Sequence, residues 1–125
     1  MRLVTFTRQG SEKSEIGARI LLPSGDRILP FGDLAQQEGK TNFPSSMKAF
    51  LNAGEGVMNQ AKQWVQKATT HYSKLLLDCS LITYLPPIMD AEKFLCVGKN
   101  YRTHLEELKR TNLIKEIPQE PTSFI

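Results

Sequence analysis

His104 and Glu107 stand three positions apart in the segment Tyr101 to Arg110, and on a helix that spacing puts an imidazole and a carboxylate on one face. Such a pair can serve as a general base and the group that orients it. Taken without context, the ordinary reading is an exposed helix carrying an i,i+3 pair of little energetic consequence. The elements that would position the pair are local. Lys93 to Val97 reads as a buried strand, Gly98-Lys99-Asn100 as a tight connection, Tyr101 to about Arg110 as a helix and Ile117 to Pro121 as an extended loop, with Ser123-Phe124-Ile125 opening a further strand. Much of any site around His104 is therefore expected to lie past residue 125.

Upstream, the pattern predicts a three-strand antiparallel meander: Arg2 to Phe6, Ile16 to Leu22, and Arg27 to Leu29 after the turn Pro23-Ser24-Gly25-Asp26. Asp33 can cap a short helical turn through Glu38, and Ser45 or Ser46 a helix carrying Met47, Phe50 and Leu51. Val57, Ala61, Trp64, Val65 and Ala68 fall at i, i+4, i+7, i+8 and i+11, one stripe of an amphipathic helix from about Glu55 to Thr70 that packs on the meander. Ser80 to Leu85 reads as a strand. Pro86-Pro87 ends it, because neither proline can donate a ladder hydrogen bond, and a domain boundary is expected there.

Composition excludes several classes. The 16 Lys+Arg are interspersed with 13 Asp+Glu and form no long run, so the net charge of +3 marks no nucleic-acid arm. Arg102, Lys109 and Arg110 beside Tyr101 do not change this, since Glu106 and Glu107 interrupt that face. The densest apolar run, Leu75 to Ile88, is broken by Asp78, Ser80, Thr83 and two prolines, too short for a membrane span. Cys79 and Cys96 lack C-x-x-C spacing and the N-terminus lacks the apolar core of a signal peptide, so a soluble cytoplasmic protein is expected, with mitochondria as the alternative although no presequence is seen. His71, Cys79, Cys96 and His104 match none of the short paired spacings of a zinc site. Cys96 and Trp64 read as core, and Gly98 as a tight turn that makes no phosphate loop.

The run Cys96-Val-Gly-Lys-Asn-Tyr-Arg-Thr-His-Leu-Glu-Glu107, followed by Glu120-Pro121-Thr122-Ser123-Phe124, resembles the fumarylacetoacetate hydrolase family, whose members carry C-V-G-x-N-Y-x-x-H-x-x-E and then E-P-x-x-F. Met1 to Phe6, Ile16-Gly17, Pro44 to Met47 and Phe50-Leu51 are similar too, so the resemblance covers the whole chain. It implies an α+β fold: a small N-terminal antiparallel sheet packed by helices over residues 1–86, followed over 87–125 by the first strand and helix of a truncated mixed-β catalytic domain.

The same resemblance implies a parent enzyme that uses Mg²⁺ or Mn²⁺ to hydrolyse or decarboxylate β-dicarbonyl acids of the acylpyruvate, fumarylacetoacetate or oxaloacetate type. By position, His104 would be the base and Glu107 its orienting partner, with Asn100, Tyr101 and Arg102 in the segment that closes over the substrate. A homodimer would form through the part of the catalytic domain past residue 125. The family's metal ligands, a Glu-x-Glu pair and a later Asp, follow the E-P-x-x-F segment and are not in this chain. A hard cation needs such oxygen ligands, so no cofactor and no turnover are expected from residues 1–125 alone. The alternative is a truncated, non-catalytic relative that acts as a folding or interaction module.

Overall fold

The computed structural model describes residues 1–98, 102–113 and 122–124. It divides into two compact units, Met1–Asp90 and Ala91–Ile125. The fold class is α+β.

In the first unit, β1 (Arg2–Arg8), β2 (Glu15–Ile20) and β3 (Arg27–Pro30) form the meander, and two short strands, β4 (Leu77–Asp78) and β5 (Ile82–Leu85), widen it into a five-stranded antiparallel sheet of order β4-β3-β2-β1-β5. Only Cys79–Leu81, a 3-10 turn, separates β4 from β5 in sequence, yet the two strands occupy opposite edges. Three residues reach from edge to edge only if the sheet curls strongly. The turn is stitched to both sides of the curl: the Gln9 N–H donates to the Leu81 carbonyl at 2.8 Å, and the Cys79 thiol donates to the Asp26 carbonyl at 3.3 Å.

Residues opposite one another in the ladder share a face. Leu3 pairs with Ala18, Thr5 with Ile16 and with Leu85, and Ala18 with Leu29, which defines the face that the helices cover. Val4 pairs with Gly17, Phe6 with Tyr84, and Arg19 with Ile28, which defines the concave face. Phe6 and Ile28 are fully buried there. Gly17 is required at the centre of that face: a Cβ would sit 3.1 Å from the Leu29 carbonyl carbon and 3.3 Å from Phe6 Cε1, and closer still to the Leu29 carbonyl oxygen.

The helical layer is α1 (Phe31–Gln37), α2 (Met47–Asn52) and α3 (Glu55–Gln66). Ser46 caps α2, its hydroxyl accepting from the Ala49 N–H at 3.2 Å. Gly54 stands at φ 91°, a conformation that costs glycine little, and starts α3. Ala61, Trp64 and Ala68 of the predicted stripe are buried with Ile16, Ala18, Ile20 and Leu29, and Val57 and Val65 pack at the margin. Trp64 joins Phe31, Phe43 and Phe50 in one aromatic cluster with ring centroids 4.8–6.0 Å apart.

Several expectations are corrected. α1 begins at Phe31 with Pro30 as its N-cap, so Asp33 lies inside the first turn and caps nothing; its carboxylate instead accepts from Arg8 Nη2 at 2.8 Å. The same guanidinium holds Glu15 at 2.8 and 2.9 Å, tying β1 to β2 and α1. α3 ends at Gln66 rather than Thr70, although Ala68 beyond it stays buried. The stretch Ser80 to Leu85 is strand only from Ile82, because Cys79–Leu81 turns across the end of the curl.

The second unit contains β6 (Cys96–Gly98), α4 (Arg102–Arg110) and β7 (Thr122–Phe124), with β6 and β7 paired antiparallel. Lys93 to Val97 is not a buried strand: pairing starts at Cys96, and Phe94, Leu95 and Val97 are 76%, 67% and 59% exposed. An apolar run is buried when layers cover both faces of its sheet, and the described ribbon has two strands. The extended loop expected at Ile117 to Pro121, and the Lys99-Asn100 connection, lie outside the described residues.

Candidate active site

α4 carries the two residues with base chemistry. Its only buried side chain is Leu105, and its polar residues point the other way by the 3.6 period. Lys109 and Arg110 occupy the last turn, where cations complement the partial negative charge of the helix C-terminus. The helix stops in a Schellman arrangement: Asn112 at φ 59°, the Leu113 N–H on the Leu108 carbonyl at 2.9 Å and the Asn112 N–H on the Lys109 carbonyl at 3.1 Å. Thr111 adds a hydroxyl bond to the Glu107 carbonyl at 2.9 Å. These closures fix the register of the turn that holds Glu107.

His104 and Glu107 are both exposed on α4, one helical turn apart. Among the described residues no hydrogen bond or ion pair joins the His104 and Glu107 side chains to each other or to any other group. The ion pair on this helix is instead Arg102 with Glu106, at 3.4 Å, and the Arg102 side chain is 90% exposed. Asn100 and Tyr101 lie outside the described residues. Of the five residues singled out from the sequence, the structure therefore places three on one helix and presents His104 and Glu107 to solvent.

The described clefts lie elsewhere. One of about 310 Å³ is floored by Ile16, Ala35 and Phe43 and rimmed by Lys13, Lys40 and Thr41, and neighbouring clefts likewise involve residues of the first unit. Among the described residues no three His, Cys, Asp or Glu side chains gather in a way that would hold a metal ion. The Mg²⁺ or Mn²⁺ implied by the sequence resemblance thus finds no fit in the described residues. His71 is engaged by the Thr70 hydroxyl at 2.8 Å, and Cys79 by Asp26 and, at 3.6 Å, the Tyr84 hydroxyl. That contact is the main cause raising the Tyr84 phenol above its ordinary pKa. Among the described residues no helix is long and apolar enough to cross a membrane.

Sequence reasoning missed three groups that shape the first unit. The Arg8, Glu15 and Asp33 cluster, the Gly17 contact and the Thr5 hydroxyl all depend on contacts between separate elements of the fold. Local pattern offers no signal for them.

No protein-family model matches the chain. It is 32% identical over 124 residues to the oxaloacetate tautomerase fahd2, mitochondrial, of Xenopus laevis, and 27% identical over 124 residues to the oxaloacetate tautomerase Fahd2a, mitochondrial, of Rattus norvegicus. Each match takes in 99% of this chain and 34% of the relative. The chain thus spans about a third of the length of these relatives.

Proposed function

We propose that this chain is the N-terminal portion of a metal-dependent enzyme of the fumarylacetoacetate hydrolase family, acting on a β-dicarbonyl acid of the oxaloacetate type through His104 and Glu107. The observation that carries this reading is the similarity, over 99% of the chain, to proteins named as oxaloacetate tautomerases, together with His104 and Glu107 on one exposed helical turn. The relatives' name favours proton transfer over the hydrolysis or decarboxylation that the family also performs.

In that reaction the His104 imidazole takes a proton from the carbon between the keto and carboxyl groups. The released electron pair forms the C–C double bond as the C=O π pair moves onto the keto oxygen, which takes a proton from water to give the enol; the protonated imidazole returns its proton to the hydroxide left behind. Glu107 orients the imidazole and stabilises its protonated form. Contact between the two is not formed in this structure, and such bonds commonly tighten only when substrate binds. A divalent cation would polarise the keto oxygen. Among the described residues no three His, Cys, Asp or Glu side chains gather to hold it.

The sequence boundary assigned at residue 86 and the reading of residues 87–125 as the beginning of the catalytic domain belong to this proposal, as does a homodimer formed by the longer protein. A mitochondrial location is the one the relatives' names favour. The test extends the chain by the remaining two thirds of the Xenopus laevis relative and follows oxaloacetate keto–enol exchange by absorbance with Mg²⁺ present. Exchange by the extended protein and none by the 125-residue chain is the expected result; an extended, folded protein that leaves the exchange rate at its uncatalysed value overturns the reading.

A further inference from the structure

Among the described residues Thr5 is the buried polar side chain, 5% exposed, in the middle of β1 and on the face covered by the helices. A hydroxyl in that setting is costly unless it is hydrogen-bonded. Thr5 Oγ1 donates to the Pro87 carbonyl at 2.7 Å, across 82 positions of sequence. The backbone leaves β5 at Leu85, directly opposite Thr5 in the ladder, and two residues later Pro87 has returned to the Thr5 side chain. Two consecutive prolines limit the alternatives open to that hook before it closes.

A second tie follows. Lys48, in the first turn of α2, donates from Nζ to the Asp90 carbonyl at 3.4 Å and lies 3.9 Å from Asp90 Oδ2. Ser46 and Met47, which start that helix, line the small space of about 50 Å³ beneath Ile88 and Met89. The segment after the sheet is thus held at both ends, by the buried hydroxyl of Thr5 in β1 and by the Lys48 ammonium of α2.

We propose that Thr5 of β1 and Lys48 of α2 latch Pro87–Asp90, the last residues of the first unit, against its sheet and helix and so fix the place from which the segment bearing α4 departs. They are positioning residues. That the departing segment carries a base rests on the proposed function; the latch itself does not. Its two ties differ in strength. The Thr5 donor is buried, whereas the Lys48 pair is more exposed and screened by salt.

Backbone ¹⁵N order parameters at Ile88, Met89 and Asp90 test this in the 125-residue chain, since Pro87 has no N–H. The unsubstituted chain should give values near the rigid-backbone level of about 0.85. Thr5→Val keeps the shape and branching of the side chain but removes the donor, and should drop the three residues below about 0.6 while Phe6 and Ala18 stay rigid and the melting temperature holds. Thr5→Ser, which keeps the hydroxyl, should restore order. Lys48→Met should loosen Asp90 more than Ile88. Order parameters that are already low in the unsubstituted chain, or unchanged in Thr5→Val, overturn the latch. Should Thr5→Val fail to fold, an Asp90 value unmoved by Lys48→Met overturns it instead. No substrate enters the measurement, so a mobile segment sinks the latch and leaves the dyad standing, and an inert His104 does the reverse.

Discussion

Gly17→Ala should be the most damaging single-methyl change in the first unit. The added Cβ meets the Leu29 carbonyl inside the 3.0 Å that real Cβ atoms essentially never cross, with the Phe6 ring 3.3 Å away on the other side. Neither neighbour is free to yield. The carbonyl belongs to β3, whose pairing holds Ala18 opposite Leu29, and Phe6 is fully buried. In an unconstrained strand the loss of glycine's excess freedom would stabilise by about 0.5–1 kcal/mol. Overpacking a rigid core costs about 1–3 kcal/mol, which less that gain leaves a net loss of about 1–2 kcal/mol. For a unit of this size that corresponds to a fall in Tm of roughly 4–16 °C. Gly56→Ala is the matched control, because nothing lies within 4 Å of its Cβ and it sits in α3, where alanine is favoured by about 0.5–1 kcal/mol. Urea denaturation followed by circular dichroism reads both variants. A Gly17→Ala midpoint equal to or above that of the parent would refute the curled-sheet packing.

Other outcomes follow from the polar ties and from the aromatic cluster. Arg8→Lys keeps the charge but loses the fork that holds Glu15 and Asp33 together, and should cost about 1–2 kcal/mol in the same denaturation assay, largely insensitive to salt if the hydrogen-bond geometry is what counts. Phe31→Ala should cost about 3–5 kcal/mol, since Phe31 is fully buried against Phe43, Phe50 and Trp64; a loss under 1 kcal/mol, measured by the urea midpoint, would contradict the cluster. Tyr72 donates to Glu38 at 2.7 Å, and that bond is the chief reason its phenol pKa is raised. The raised value favours the protonated form, so the contribution is whole below the ordinary phenol range near 10 and fades as pH climbs through the folded-state value. Tyr72→Phe should therefore reduce the alkaline fall in Tm, and an identical pH profile would count against the bond.

Much of the helical layer was legible in the sequence because its signal is local and periodic. Val57, Ala61, Trp64, Val65 and Ala68 repeat at helical spacing, and Ser46 precedes Met47 as a cap should. The sheet was legible only as far as its hairpins. β4 has two residues, too few to show alternation, and its place beside β3 is set by a turn that crosses the end of the curl rather than by anything in Leu77 or Asp78. Ser80 and Leu81 read as the start of a strand because β-branched and apolar neighbours favour extension, and the need to join opposite edges made them part of a turn instead. Phe94, Leu95 and Val97 looked buried because apolar runs usually are, yet they lie exposed. His104 and Glu107 could be picked out by spacing, whereas their isolation from each other could not, because side-chain pairing on an exposed helix depends on rotamers and partners that sequence does not specify.

If His104 accepts the proton in the longer protein, as proposed, its removal must slow oxaloacetate exchange. Oxaloacetate keto–enol exchange should be measured for the extended protein and its His104→Ala and Glu107→Gln variants, with circular dichroism confirming that each is folded. A loss of about 10²- to 10⁴-fold in kcat for His104→Ala, and a smaller one for Glu107→Gln, is the predicted result. A folded His104→Ala protein that exchanges oxaloacetate at the parent rate would contradict the account.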